Sequence, residues 1–228
     1  MPDEPEGANV KEQTFFYKQN IHLLKIQVGY RYSVFMTNTH QVFISGRLFK
    51  TTYGMPVLIY PSPIRSIHTG GAHLYFTTFD GKIFGMGCNE DHQIPIQGNY
   101  SERQLASPVE ISANFFHNSS VITLQVGAYH ALFVTKSGRI YTFGWNELCQ
   151  TGFPKSLFTD CQCLPMDISL QLEISRGSIE VCPFLDICGD SMVVMVRLQG
   201  DAARLFSLLE SFVKESHTLS DILLKCDR

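Results

Sequence analysis

Histidines and cysteines are the residues of this 228-residue chain whose types suit chemistry best. His73 and His130 follow similar Gly-x-x-His segments, as two equivalent general bases or metal ligands would. Five of the seven cysteines lie in one region, at Cys149, Cys161, Cys163, Cys182 and Cys188. Structural zinc sites use two pairs at Cys-x2-4-Cys spacing or a Cys/His equivalent, and that spacing is absent. The sequence therefore predicts no metal and no other cofactor.

Local signatures of catalysis are missing as well. Nucleophilic catalysis needs a nucleophile, a base and an orienting group within reach of one another, and a Gly-x-Ser-x-Gly motif does not occur. Gly85-Met86-Gly87 is a fragment of a dinucleotide fingerprint, but it is expected to close a hairpin and not to join a strand to a helix. We predict that the chain is not an enzyme.

An internal repeat explains these histidines better. Three segments align without gaps, residues 26–46, 67–87 and 124–144, and in each of them one glycine is followed 17 positions later by another. These glycine pairs are Gly29 and Gly46, Gly70 and Gly87, and Gly127 and Gly144. A weaker fourth copy surrounds Gly189. A residue that recurs in register in a repeat protein usually has the same structural role each time, so we expect His73 and His130 to donate hydrogen bonds between strands or neighbouring units.

Each unit is predicted to contain a β-hairpin. Two apolar runs rich in aromatic and β-branched residues flank a polar turn, which is Asp80-Gly81 in the second unit and Ser137-Gly138 in the third. Glycine adopts the positive φ of such turns without a Cβ clash. The first unit has Thr39-His40 at this position, so its turn is expected to be looser or differently formed.

The ordered features resemble the regulator-of-chromosome-condensation repeat. The matching residues in the second and third units are Gly70, His73, Thr77, Gly81, Gly87, Asn89 and Gln93, and Gly127, His130, Thr135, Gly138, Gly144, Asn146, Gln150 and Gly152. The chain departs from the family at His92 and Cys149, where glycine is usual, and at Tyr32 and Met192, which replace the repeat histidine.

The resemblance implies an all-β fold, a partial β-propeller of about four units. Complete members of the family have seven blades, so an open arc would expose the edges of its terminal blades. A sequence that continues beyond this chain, pairing of copies or an unusually small closed ring would each cover those edges. Residues 1–20 are predicted to be a disordered acidic leader, and residues 21–200 the repeat domain.

Residues 201–228 change to helical spacing and then to a short apolar run. This predicts a helix followed by a strand, and the segment with Ser220-Asp221 resembles the opening of a BTB (POZ) domain. The resemblance implies an adaptor, with a cullin-type ligase as a partner.

Charge and composition limit the classes of partner that the chain is expected to bind. The net charge is -3, and lysines and arginines are scattered, which disfavours direct binding of nucleic acid. Neither a signal peptide nor an apolar stretch long enough to span a bilayer is present, so we expect no membrane partner. An odd number of cysteines agrees with free thiols and a location in the cytoplasm or nucleus.

Polar loops after the second glycine of a unit are the predicted binding surface, because binding residues concentrate on loops held by a rigid scaffold. Its residues are Asn89, Glu90, Asp91, Asn146 and Glu147, which are acidic enough to bind a basic partner. The predicted function is a non-enzymatic protein-interaction scaffold or adaptor. The alternatives are guanine-nucleotide exchange on a small GTPase, which some relatives perform, and chromatin binding, which the acidic balance disfavours.

Overall fold

A computed structural model describes residues 14–98, 101–147, 151, 153, 161–167, 179–180, 185–188, 191–194 and 197–198 of the chain. The described part is mostly antiparallel β-sheet. Its helices are α1, residues 14–18, and a single 3-10 helix, Ala113–Phe116. The chain divides into two compact units: unit 1 contains residues 1–88 and 104–110, and unit 2 contains residues 89–103 and 111–228.

Unit 1 contains two four-stranded sheets in which each strand pairs with the next along the chain. Sheet 1 consists of β1 (Leu23–Val28), β2 (Tyr32–Thr37), β3 (Val42–Leu48) and β4 (Thr51–Leu58). Sheet 2 consists of β5 (Ile64–Thr69), β6 (His73–Thr78), β7 (Ile83–Cys88) and β8 (Gln104–Glu110).

Unit 2 contains a third sheet of the same kind and two smaller ones. Sheet 3 consists of β9 (Val121–Val126), β10 (His130–Thr135), β11 (Ile140–Trp145) and β12 (Cys161–Asp167). The smaller sheets pair β13 (Ile179–Glu180) with β16 (Arg197–Leu198), and β14 (Leu185–Cys188) with β15 (Ser191–Val194). β14 and β15 flank Gly189 of the weak fourth repeat, at the place of the first two strands of the other sheets. Gly189 itself, the turn expected at Gly200, and residues 201–228 with the predicted helix and the BTB-like segment lie outside the described residues.

The central hairpins of sheets 1, 2 and 3 share one register. Equivalent aromatic pairs face each other across the second and third strands: Phe35 and Phe43, Phe76 and Phe84, Phe133 and Tyr141. Directly opposed side chains lie on the same face of a sheet, so each repeat presents the same pair of aromatic rings. The hairpins predicted from the glycine spacing are therefore confirmed in all three units.

The turn of the first hairpin corrects one expectation. His40 has φ +60, in the same left-handed region as Gly81 at φ +85. Its N–H donates to Thr37 O over 2.9 Å, as the Gly81 N–H donates to Thr78 O over 3.1 Å. The first turn is therefore not looser, because His40 adopts the conformation that glycine adopts in the other repeats and its ring packs edge to face on Phe79 at 5.0 Å.

The second glycine of each repeat lies at a β-bulge near the end of the third strand of its sheet. Gly46, Gly87 and Gly144 all have positive φ, between +90 and +112. The next residue donates its backbone N–H to the residue before the second strand, as Cys88 does to Ala72 O over 2.8 Å. The equivalent bonds are Arg47 N–H to Arg31 O and Trp145 N–H to Tyr129 O.

One face of sheet 1 is covered by the chain's own N-terminal helix. Residues 14–18 fall within the predicted leader, but they form α1, which places Phe16 against Phe35 and Phe43 with ring centroids 5.0 and 5.6 Å away. Phe16 is only 3% exposed. Residues 14–18 are therefore not part of a disordered leader, since burial of these aromatic rings stabilises the helix.

The core of unit 1 is one cluster of buried side chains from sheets 1 and 2. Its members are Tyr32, Val34, Met36, Val42, Ile44, Leu48, Ile64, Ile67, Leu74, Phe76, Phe84 and Met86. Their alternation along the strands places them on the facing sides of the two sheets. Because the facing sides of these sheets are buried, we expect functional groups on the loops at the strand ends.

Candidate functional site

The loop that follows β7 is organised by a buried amide. Asn89 is 1% exposed, and its Oδ1 accepts the backbone N–H of Ile94 over 2.8 Å. Its Nδ2 donates to Glu102 O over 2.9 Å. One side chain therefore joins the two ends of the loop.

The loop after β11 is also organised by a buried asparagine side chain. Asn146 is fully buried, and its Oδ1 accepts the backbone N–H of Thr151 over 3.0 Å and the Thr151 hydroxyl over 2.6 Å. Its Nδ2 donates to Phe153 O over 3.1 Å. In both loops the amide oxygen binds the N–H five residues further on, so the two asparagines have an equivalent role.

These contacts correct the predicted placement of Asn89 and Asn146 on the binding surface. Both amides are buried and satisfied within their own loops, since a buried polar side chain requires internal hydrogen bonds. They hold the loops instead of facing a partner. The sequence signal that could have indicated this is their recurrence two residues after the bulge glycine.

Glu90 and Glu147, each next to one of these asparagines, are exposed, and Asp91 is half-buried. Gln93 holds Asp91: its Nε2 donates to Asp91 Oδ2 over 3.0 Å, and its Oε1 accepts the Asp91 N–H over 3.1 Å. Burial, and next the charge of Glu90, raise the pKa of the Asp91 carboxyl. Glu90 and Glu147 are thus the exposed carboxylates that directly follow the two buried asparagines.

His92 stands in the same loop, where the family favours glycine, and it has the left-handed φ of +56. Its Nε2 lies 3.3 Å from Nη1 of Arg103. Burial, followed by the charge of Arg103, lowers the pKa of His92. The side chain is therefore expected to be neutral at pH 7, so it adds no positive charge to this acidic loop.

The first repeat differs at the equivalent positions. Leu48 takes the place of the asparagine and is 2% exposed, so no amide is present to organise a long loop. The chain turns at once through Phe49 and Lys50, because Leu48 pairs directly with Thr51. The acidic loops therefore belong to the second and third repeats alone among the sheets described.

His73 and His130 begin the second strands of sheets 2 and 3 and are fully buried. The backbone carbonyl of each accepts the N–H of a repeat glycine over 2.8 Å, from Gly70 and Gly127 respectively. The predicted side-chain hydrogen bond is not found for His130, since neither ring nitrogen has a hydrogen-bond partner among the described residues. The ring of His73 packs edge to face on Tyr75 at 5.9 Å.

Tyr32 replaces the histidine in the first repeat. Its side chain makes a hydrogen bond to the next repeat, which is the bond that was predicted for the histidines. Its hydroxyl, in sheet 1, lies 2.9 Å from O of Gly70 and 2.6 Å from O of His73. Gly70 directly follows β5 and His73 begins β6, both strands of sheet 2. A Cβ at Gly29 would overlap the Tyr32 ring, so a glycine is needed there to admit it. Burial raises the pKa of the Tyr32 phenol.

The buried His130 and the half-buried His68 make stability depend on pH. Burial lowers the pKa of His130 to about 4, and burial together with the charge of Lys25 lowers the pKa of His68 to about 4. The unfolded chain binds these protons from about pH 6.5 downwards, whereas the folded chain resists them until about pH 4. Stability is therefore greatest above pH 6.5 and falls as the pH decreases towards 4.

We expect the free energy of unfolding to fall by about 2 kcal/mol for each of the two histidines between pH 7.5 and 5, as an order of magnitude. Urea unfolding followed by circular dichroism at both pH values measures the change. In a His68→Gln variant about half of the pH dependence should be lost. A free energy of unfolding that is flat over this range would contradict the neutral state of both rings.

No metal site or membrane span is found in the part of the chain that the structure describes. No group of three or more His, Cys, Asp or Glu side chains is placed to hold a metal ion there. No described helix is long and apolar enough to cross a bilayer. Cys161 and Cys163 lie on β12, whereas Cys149 and Cys182 are outside the described residues.

Comparison with known proteins connects these repeats with a family. Residues 121–148, which contain β9 to β11, match the model of the "Regulator of chromosome condensation (RCC1) repeat". The human "Probable E3 ubiquitin-protein ligase HERC6" is 26% identical over 146 residues, which are 59% of this chain and 14% of that protein. Human HERC3, another probable E3 ubiquitin-protein ligase, is 30% identical over 90 residues, or 40% of this chain and 8% of that protein.

Solved structures show the same fold. Prp20p from Saccharomyces cerevisiae has a TM-score of 0.61 at 17% identity, over 85% of this chain and 47% of that chain. Yeast RCC1 (Prp20) bound to Kap60 has a TM-score of 0.60 at 15% identity, over 74% and 40%. The chain thus spans a small part of these ligases and less than half of these structures. Residues 121–148 thus match a regulator-of-chromosome-condensation repeat, and the sheets of the chain have the fold of β-propeller blades.

Proposed function

We propose that the chain is a non-enzymatic protein-interaction module of the cytoplasm or nucleus, which binds a basic segment of a partner protein through the acidic loops after β7 and β11. The observation that carries this proposal is the shared construction of the two loops. In each, a buried asparagine fixes the backbone, and the next residue, Glu90 or Glu147, is an exposed carboxylate.

Such a construction favours binding because the backbone of the loop is ordered before a partner arrives. A partner that docks on an ordered loop loses less conformational entropy than one that must order it. A solved structure of the same fold supports a binding role: the structure of Prp20p was described together with its binding properties to Gsp1p and histones.

A charge-matched pair of variants tests the proposal. The loop variant is Glu90→Gln with Glu147→Gln, and the control is Asp80→Asn with Glu110→Gln, which makes the same change in net charge on exposed residues outside these loops. Asp91 is left intact because its bonds to Gln93 hold the loop. Each lost carboxylate at a binding surface is expected to cost about 0.5–1 kcal/mol.

The probe is a short fluorescent peptide of alternating lysine and serine, whose anisotropy reports binding. We expect the loop variant to weaken binding by about tenfold and the control variant to change it by less than about twofold. Equal weakening by both variants would mean that only net charge matters, and it would contradict a site at the two loops.

Guanine-nucleotide exchange is the second candidate, because the fold resembles that of Prp20p, a protein whose structure was described with its binding to Gsp1p. Release of a fluorescent guanine nucleotide from a panel of small GTPases, measured with and without the chain, separates the two functions. An increase in the release rate by orders of magnitude for any GTPase would establish exchange and contradict a purely non-enzymatic role.

A further inference from the structure

The turn between β3 and β4 presents a charge opposite to that of the acidic loops. Arg47, Phe49 and Lys50 occupy the positions of the first repeat near which the other repeats carry their carboxylates. Arg31 joins them because its backbone carbonyl accepts the Arg47 N–H over 2.6 Å. All three cations are exposed. We call Arg31, Arg47 and Lys50 the basic turn.

Contacts within the turn hold its side chains in place. Nε of Arg47 donates to Phe49 O over 2.9 Å, which leaves its terminal nitrogens free of that bond. Nζ of Lys50 lies 4.6 Å from the centre of the Phe49 ring, within the range of a cation-π contact. Phe49 itself has a φ of +53, so the turn is a tight one. The cations therefore extend from a short, restrained backbone.

The two arginines of the basic turn are not paired with carboxylates of the described residues. Among the residues that the structure describes, neither Arg31 nor Arg47 forms an ion pair, whereas Arg139 and Lys82 do, with Asp167 and Glu110. The two terminal nitrogens of each guanidinium group are thus not engaged in an ion pair, and two such donors match a carboxylate in a bidentate geometry. Tyr30, the residue before Arg31, is 61% exposed.

We propose that the basic turn of Arg31, Arg47 and Lys50 is a second docking surface, which binds an acidic segment of a protein. The three cations lie on one turn and on the residue hydrogen-bonded to it, which suits two or three carboxylates on a short peptide. A nucleic acid would need a longer basic stripe to neutralise many phosphates. This surface lies in unit 1 and involves none of the acidic-loop residues, so it stands or fails independently of the proposed function.

The test follows backbone amide chemical shifts of the full chain while a short peptide of alternating glutamate and serine is added. The basic-turn variant is Arg31→Gln, Arg47→Gln and Lys50→Gln. Its control is Lys18→Gln, Arg65→Gln and Lys136→Gln, three exposed cations elsewhere. We expect shifts at residues 30–31 and 46–51, at least a tenfold weaker apparent affinity in the basic-turn variant, and a change of less than twofold in the control.

Thermal unfolding of each variant confirms that the chain is still folded, and an Arg47→Lys variant, which keeps the charge, should retain most of the binding. No shifts on addition of the peptide, or equal weakening by the control, would overturn the proposal. Tighter binding of a single-stranded oligonucleotide of equal charge at the same residues would also overturn it, as would self-association that only the basic-turn variant abolishes.

Discussion

Replacing Gly87 with alanine is expected to lower the free energy of unfolding by about 3 kcal/mol or more. The backbone there has φ +112, which costs an L-residue about 1–2 kcal/mol. The new Cβ would also lie 2.6 Å from Ala72 O and 2.8 Å from the His73 Cα. Because Ala72 O accepts the Cys88 N–H that closes the bulge, moving it away weakens that bond too. Urea unfolding measured by circular dichroism gives the change.

Gly81→Ala is the matched control, since it makes the same chemical change at another positive φ. Gly81 has φ +85, but no atom lies within 4 Å of the position that a Cβ would take there. Only the strain of a positive φ then destabilises the folded chain. Alanine offsets part of this strain because it lowers the conformational entropy of the unfolded chain, so the expected loss in the free energy of unfolding is about 1 kcal/mol. Equal losses in the two variants would contradict the close approach of the Ala72 carbonyl at the bulge.

Tyr32→Phe is expected to destabilise unit 1 by about 1–3 kcal/mol. The hydroxyl lies within hydrogen-bond distance of two buried backbone carbonyls, those of Gly70 and His73, and phenylalanine keeps the ring but leaves this donor out. Loss of one buried partner costs the desolvation of the group left behind, which is larger than the net gain from an average hydrogen bond. The same urea titration measures the loss.

Tyr17→Phe is the control for this prediction, because Tyr17 is 87% exposed and its change should alter stability by less than about 0.5 kcal/mol. A Tyr32→Phe variant as stable as the Tyr17→Phe variant would show that the hydroxyl does not link the first two sheets. In that case the ring alone, packed in the core of unit 1, would account for the residue.

The hairpins could be predicted from the sequence because they depend on contacts a few residues apart. The spacing from Gly70 to Gly87 sets two strands and a turn, and Asp80-Gly81 sets the type of turn. The same reasoning was wrong at His40, where a non-glycine residue adopts the left-handed conformation. Contacts with the next sheet outweigh local propensity there, since His40 O accepts the Ile64 N–H over 2.8 Å.

The candidate site was predicted only in part. The loops were located correctly after the bulge glycines, and Glu90 and Glu147 are exposed on them, but their role in binding stays a prediction. Asn89 and Asn146 could not be separated from them by residue type, because a polar residue in a loop satisfies its hydrogen bonds either with a partner or with its own backbone. Only the folded loop shows which of these it does.

The sequence by itself determined the repeating unit: the strands, their register and the positions of the glycines follow from periodicity and turn chemistry, which act over short distances along the chain. The tertiary structure alone decided which side chains join distant segments. The Tyr32 hydroxyl donates to Gly70 O, the Phe16 ring packs on Phe35, and Arg31 O accepts the Arg47 N–H. These pairs are brought together by the pairing and packing of whole sheets. Spacing along a chain does not encode such contacts, since each depends on where every intervening strand lies.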